Sequence, residues 1–252
     1  MVIPHYDRVD LLTACVERLS DALAGEAVEL VVADDASPPP AQEALAALAA
    51  RTGIRLVVST RRRGLGANTN QGLAAARGRF VLQVQDDHIL DQPDGEFLRA
   101  GIAALDAWPD LAIIRYEVGG PLGEAERREL GQWTVAVADS RLAQNGSGRF
   151  DLYSDWPHLK RRSLHEHLGP YVEDRSMGAT ELEFSFRLRR AGGEVATVVG
   201  FEWSFENAGG PDRSYQVGTD KASWRRRFRP AKALAAYGAY RVTGRFPYRF
   251  YP

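Results

Sequence analysis

Cysteine is almost missing from this 252-residue chain. Cys15 stands alone, which excludes an intrachain disulfide and a cysteine-built metal cluster. Lysine is scarce as well, at Lys160, Lys221 and Lys232 only, so arginine supplies nearly all the positive charge. That bias reads as coding preference rather than function. Acidic and basic residues nearly cancel, leaving a net charge of −1, so nucleic acid is not an expected partner. No apolar run is long enough to span a bilayer. Met1-Val2-Ile3-Pro4 reads directly into a strand with no signal peptide before it, and the expectation is a soluble cytoplasmic protein. A Walker A pattern is lacking, and Gly64-x-Gly66 has no strand context for a dinucleotide fingerprint. There is no internal repeat and no low-complexity linker.

What the chain does have is a core and a rhythm. Hydrophobic residues make up 44% of it, enough for one large α/β domain or two tightly packed halves. Short apolar strands alternate with helical stretches through the first half. Strands are expected at Val2-Ile3, Val28 to Ala33, Ile54 to Ser59 and Phe80 to Val84. Helices are expected from Asp10, as a cap, to about Leu23, then over Ala41 to Ala50 and Gly66 to Ala76. This order predicts a largely parallel sheet with right-handed crossovers, and ligands on such sheets bind beyond the carboxyl ends of the strands. The second half is less regular. Glu96 to Trp108 reads as a helix, Leu111 to Val118 and Thr134 to Ala138 as strands, and Gly119 to Gly131 as a polar loop or helix. Gln144 to Gly148 reads as a turn. Arg162 to Leu168 and Thr180 to Ala191 read as helices, and Val195 to Phe205 as a final strand region.

Several clusters fall at strand ends. Asp86-Asp87 follows an apolar strand directly, where two carboxylates are costly unless they bind something. A hard divalent cation, Mg²⁺ or Mn²⁺, suits such a pair and is usually shared with substrate phosphates. A capped, solvated turn is the plainer alternative. His88 offers a nitrogen ligand beside them. Asp34-Asp35 ends another strand, placed to meet a nucleobase or ribose, although the three prolines that follow also fit a capped turn. Tyr6 could stack on a base or sit at the rim. Arg61 to Arg63 could grip a diphosphate, because arginine forks match phosphate oxygens, or could be a solvated basic loop. Glu181 and Glu183 stand near a helix start and, two apart, do not share a face. One of them is a candidate general base for an acceptor hydroxyl; compensation of the helix dipole is the alternative.

Taken in order, these segments resemble the family 2 glycosyltransferases of GT-A fold. Val2-Ile3-Pro4-His5-Tyr6-Asp7-Arg8 resembles that family's opening strand and loop. Glu29 to Ser37 resembles its Asp-Asp-x-Ser nucleotide loop, and Asn70-Gln71-Gly72 its Asn-x-Gly helix. Phe80 to Asp87 resembles the strand carrying its Asp-x-Asp motif. Leu159 to Arg162 with Leu168 to Tyr171 resembles the acceptor-side segment, and Thr180 to Gly192 the helix that carries the base. The resemblance covers roughly residues 1–205. It implies a Rossmann-like, mostly parallel central sheet flanked by helices. Residues 1–95 would be the nucleotide-binding half, residues 96–205 the acceptor half, and residues 206–252 a helical or irregular basic and aromatic extension.

The resemblance also implies roles. Pro4, Tyr6, Asp34, Asp35, Arg63, Asn70 and Asp86 would hold the nucleotide sugar, a UDP-sugar being expected. Asp87, with His88, would hold Mn²⁺ or Mg²⁺. Glu181 would be the catalytic base of an inverting hexosyl transfer, with Glu183 its rival or an acceptor contact; Trp156, read from its own polar and turn neighbours Ser154-Asp155 and Pro157-His158, is a candidate acceptor platform, a core position being the alternative. The acceptor would be a glycan, small molecule or peptide hydroxyl.

The departures are specific. Glu181 replaces the family's aspartate and Thr180 its preceding glutamate. The late metal-ligating histidine is missing, Glu206 being the nearest polar candidate. A non-catalytic nucleotide- or glycan-binding protein of the same fold is therefore the alternative. A nucleotidyltransferase ranks behind both, because His5-Tyr6-Asp7-Arg8 is not the Gly-rich loop it needs. The tail, with Trp224 to Arg229 and a closing aromatic stretch, is a candidate for peripheral contact with an anionic membrane, for a cover over the acceptor site, or for a helix packed on the domain.

Overall fold

A computed structural model describes residues 1–116, 124–138, 152–209 and 237–246. Its centre is a nine-stranded sheet. From one edge inward run β3 (Arg55–Val58), β2 (Val31–Asp34), β1 (Val2–His5) and β4 (Phe80–Gln83), all parallel. Then come β9 (His158–Arg161), β6 (Leu111–Arg115), β10 (Glu194–Val198), β8 (Trp133–Ala138) and β7 (Glu124–Leu130). Only β9 and β8 run against the rest. The sheet is continuous across the boundary between the two halves read from the sequence, because β4 pairs with β9.

The strand residues β1 and β2 are buried on both faces, as a parallel strand under two helical layers must be. Ile3, Val32 and Leu82 face a core shared with α1 (Val9–Ala22) and α4 (Glu96–Ala107). Val2, Val31 and Val81 face the other side, with α3 (Leu65–Ala75) and α6 (Met177–Arg190). Glycine lets α3 sit close: a methyl at Gly72 would lie 2.5 Å from Val2 Cγ1. Helix α2 (Pro39–Thr52) flanks α1 and β3 on the outside. A two-stranded ribbon, β5 (His88–Leu90) with β11 (Phe205–Asn207), closes over the carboxyl end of β4.

Three expectations need correction. Asp10 does not cap α1. The helix starts at Val9, behind Arg8, and Asp10 sits in its first turn. The stretch from Gly119 to Gly131 is not a loop or helix where it is described: β7 is an edge strand. Backbone pairing with β8 needs no apolar alternation at a sheet edge, and charge there discourages further pairing. Arg128 instead joins Glu126, Asp110 and Glu194 on the surface. The region from Val195 to Phe205 is two strands, since Gly200 takes φ +93° and turns the chain out of the large sheet. The turn at Gln144 to Gly148 and the stretch Trp224 to Arg229 lie outside the described residues. Within the extension, Tyr237, Tyr240 and Phe246 pack on Phe186 of α6.

Candidate active site

The carboxyl ends of β1, β2 and β4 meet at one edge of the sheet, and the two acidic pairs sit there. Asp34 ends β2 and accepts both the Ser37 N–H, at 2.9 Å, and the Ser37 hydroxyl. Its carboxylate thus holds the turn. Asp35 accepts the backbone N–H groups of Arg63 and Gly64, each at 2.8 Å, and so fixes the loop ahead of α3. Asp7 takes a left-handed φ of 51° and donates its N–H to Ser37 Oγ at 2.8 Å, which joins the β1 loop to the β2 loop. Tyr6 lies under the Arg62 guanidinium, 3.8 Å from the ring centre.

Asp86 and Asp87 are both buried, and both are met by Arg8. One guanidinium nitrogen pairs with Asp86 Oδ1, another reaches Asp87 Oδ2 at 2.7 Å, and Nε approaches Asp86 Oδ2 at 3.3 Å. His5 Nδ1 lies 2.8 Å from Asp86 Oδ2, and His88 Nδ1 lies 2.8 Å from Asp87 Oδ1. Two adjacent buried carboxylates are tolerable only with such compensation. Burial by itself would raise the Asp87 carboxyl. The His88 hydrogen bond and the charges of Arg8 and His88 outweigh it and hold the group below the usual carboxylate range. The chain after β11 closes tightly here: Ala208 N–H donates to Asp87 O at 2.8 Å, and a methyl at Gly209 would lie 2.6 Å from Asp87 Oδ2. Glu206 is exposed and is paired with Ile89 in the ribbon.

On the acceptor side, Glu181 Oε1 accepts the backbone N–H of Asp155 at 3.0 Å. Gln85 Nε2, just before the acidic pair, hydrogen-bonds Asp155 Oδ2. The structure therefore links Glu181 to the β4 end through one segment, in which Trp156 is half-buried. Glu183 points elsewhere. It forms an i,i+4 pair with Arg187 at 2.6 Å, and burial raises its carboxyl against the pull of that arginine. Arg63 pairs with Glu173, and Asn70 clamps the Tyr171 backbone through Nδ2 at 2.9 Å and Oδ1 at 2.9 Å. Both residues hold the segment 171–173 against α3.

A second polar cluster lies alongside. Lys160 on β9 is fully buried and meets Gln83 Oε1 at 2.9 Å, His158 Nε2 at 3.1 Å and the Tyr171 hydroxyl. Burial drives its ammonium well below the ordinary lysine range. Burial and the Lys160 charge likewise lower His158, and lower His165 to about 3.

The model of "Glycosyl transferase family 2" matches residues 1–168. The chain belongs to this family. Its structure is that of the GT-A glycosyltransferases. It resembles mannosyltransferase PcManGT from Pyrobaculum calidifontis in complex with GDP-mannose and Mn²⁺, at a TM-score of 0.63 and 20% identity, over 100% of this chain and 66% of that one. It also resembles residues 1–349 of S. aureus TarS in complex with UDP-GlcNAc, at 0.61 and 14%, over 98% and 76%. In sequence it is 37% identical to the succinoglycan biosynthesis protein ExoO of Rhizobium meliloti over 42% of this chain and 29% of that protein. It is 31% identical to the dolichol-phosphate mannosyltransferase of Pyrococcus furiosus over 48% and 34%. The chain thus spans about a third of the length of these curated relatives. Among the described residues no helix is long and apolar enough to cross a membrane.

The donor set fits a divalent ion only in one manner. Among the described residues no three His, Cys, Asp or Glu side chains gather into a cage. A carboxylate kept ionised, as Asp87 is, suits an ion that takes one or two protein carboxylates and draws its other ligands from phosphates and water. His88 gives Nδ1 to Asp87 and so supports that carboxylate from behind. The sequence pattern missed Arg8, Asn68 and Asp155. Arg8 had a signal, being a cation one turn past a strand end in the family's opening loop.

Proposed function

We propose that this chain transfers a hexosyl group from a nucleotide-diphosphate sugar to an acceptor hydroxyl. The observation that carries the reading is the buried Asp86-Asp87 pair at the carboxyl end of β4, met by Arg8 and joined through Gln85 and Asp155 to Glu181. Asp35, Tyr6 and Pro4 line the β1 and β2 ends, where the nucleoside would lie. Asp86 would meet the ribose or sugar. Asp87 would hold Mn²⁺ or Mg²⁺, whose charge would neutralise the departing diphosphate. Arg8 lies between the two carboxylates and is placed to follow a phosphate oxygen. Glu181 is the base we favour, taking the acceptor proton as an inverting displacement proceeds. Its hydrogen bond from the Asp155 backbone N–H orients the carboxylate. The GDP-mannose and UDP-GlcNAc complexes of the structural neighbours support a nucleotide-sugar donor of either base. A uridine donor remains our first choice, and Trp156 the acceptor platform.

Calorimetry with UDP and GDP, with and without Mn²⁺, tests the donor site. Metal-dependent binding of one of them is expected, and binding of neither overturns the reading. Transfer or donor hydrolysis that disappears in Glu181→Gln marks an enzyme. Binding with no turnover in the native chain marks the non-catalytic alternative instead, and loss in Glu183→Gln alone moves the base to Glu183.

A further inference from the structure

Every oxygen of the Asp86-Asp87 pair is met by a protein nitrogen. Asp86 Oδ1 receives the Arg8 guanidinium, and Asp86 Oδ2 receives Arg8 Nε at 3.3 Å and lies 2.8 Å from His5 Nδ1. Asp87 Oδ2 receives Arg8 Nη1 at 2.7 Å, and Asp87 Oδ1 lies 2.8 Å from His88 Nδ1. These partners are not equally fixed. His5 ends β1, and Asn68 Nδ2 holds it there by donating to His5 O at 3.2 Å and to Ala33 O at 2.7 Å. His88 opens β5, and both rings are buried. Arg8 instead belongs to the loop between β1 and α1. Its side chain is 14% exposed, against 0% for Asp86 and 5% for Asp87. It is the member of this set that can leave without moving a strand.

A guanidinium and a divalent cation compete for the same oxygens. The ion takes carboxylate oxygens directly and fills its other places from phosphate and water. Beside an undisplaced Arg8 it would meet a like charge at short range. A phosphate chain offers the guanidinium equivalent oxygens, which its planar fork matches as well as it matches carboxylates. We propose that Arg8 is a displaceable stand-in for the divalent cation: it bridges Asp86 and Asp87 in the ligand-free chain and moves to the nucleotide diphosphate when the cation takes its place. This deepens the donor site proposed above and rests on it. The diphosphate draws away the group that the cation must displace, so the two ligands load together. By linkage, each tightens the other by the same factor.

Mn²⁺ binding, read from the paramagnetic resonance of the unbound ion, tests this without any turnover. A protein-free titration corrects for Mn²⁺ held by the nucleotide itself. UDP or GDP, whichever binds, should tighten Mn²⁺ on the native protein about tenfold or more. Arg8→Met should bind Mn²⁺ without nucleotide about tenfold tighter than native, and nucleotide should then add less than about threefold. Mn²⁺ should also raise the unfolding temperature of Arg8→Met more than that of the native protein. Arg8→Lys keeps the charge and loses the fork, so its Mn²⁺ affinity should fall between the two, and it carries the comparison if Arg8→Met does not fold. Arg8→Met that binds Mn²⁺ no tighter than native overturns the proposal. Arg8→Lys equal to native overturns it too, because charge alone would then account for the effect. If neither nucleotide binds the native protein in Mn²⁺, the transferase reading has failed, while the comparison in Mn²⁺ alone still decides whether Arg8 is displaced.

Discussion

Two buried polar clusters flank strand β4, and they treat charge in opposite ways. At its carboxyl end, Asp87 keeps its charge, and Arg8, His5 and His88 surround the Asp86-Asp87 pair. Beside its middle, Lys160 meets no carboxylate among the described residues. It touches an amide, a phenol and a neutral imidazole, and burial pushes it toward the uncharged amine. The first cluster keeps a charge available for a ligand. The second suppresses charge and ties β4, β9 and the segment before α6 together. Charge kept at the cost of burial marks the site; charge removed by burial marks the frame.

The contrast can be broken by experiment. Asp87→Asn should lower transfer about a thousandfold, the scale expected when transition-state charge loses its partner. A steady-state rate within tenfold of native would remove Asp87 from the chemistry. Arg8→Met should take from two buried carboxylates the guanidinium they share, at about 3–5 kcal/mol. That corresponds to about 10 °C in thermal unfolding for a chain of this size, and an unchanged melting temperature would show that the carboxylates do not need Arg8.

The pH window separates the clusters next. His158 and His165 are held neutral in the folded chain, with pKa values below the ordinary 6.5. The unfolded chain therefore binds more protons below that value. Their contribution is present above pH 6.5 and is lost as pH falls from there toward the folded values, at up to about 1.4 kcal/mol per pH unit for each ring. Asp87, lowered from 3.8, contributes above that value and is lost only below it. Denaturant midpoints between pH 7 and 4 should show the histidine slope, and His165→Gln should flatten it. A slope that begins only below pH 4 would contradict the assignment.

The smallest effect concerns Lys160. Its folded pKa is depressed, so the unfolded chain binds the extra proton below about 10.5, and stability should rise with pH toward that value. Lys160→Met should change stability near pH 10 by no more than about 1 kcal/mol, because Tyr171 OH still donates to Gln83 Oε1 at 3.3 Å. It should also abolish the rise between pH 8 and 10, and a rise that survives the substitution would place the titrating group elsewhere.

Parts of this could be read from the sequence and parts could not. The strands β1, β2 and β4 are short apolar runs ending in Asp or just before Asp, so both the sheet and the acidic pairs were visible locally. What stayed hidden depends on partners far along the chain. Arg8 meets Asp86 across 78 positions, and Asp155 meets Gln85 across 70. Neither contact leaves a periodic trace. Lys160 looked like one more basic residue in Leu159-Lys160-Arg161-Arg162, because alternation on a strand buried on both faces does not distinguish solvent from core. The Glu183–Arg187 pair, by contrast, is an i,i+4 contact that helix spacing does display. Strand β7 was hidden by its charge.

The bond that orients Glu181 comes from a main-chain N–H, not from a side chain. Every residue type except proline supplies that donor at position 155. Segment 152–157 can therefore drift, or be randomised at Ser154 and Trp156, without releasing the carboxylate on α6. On the proposed reading, a library at those two positions would sample new acceptors while the Glu181 carboxylate stays held, which would make this short segment the entry for redirecting the chain to other hydroxyl compounds.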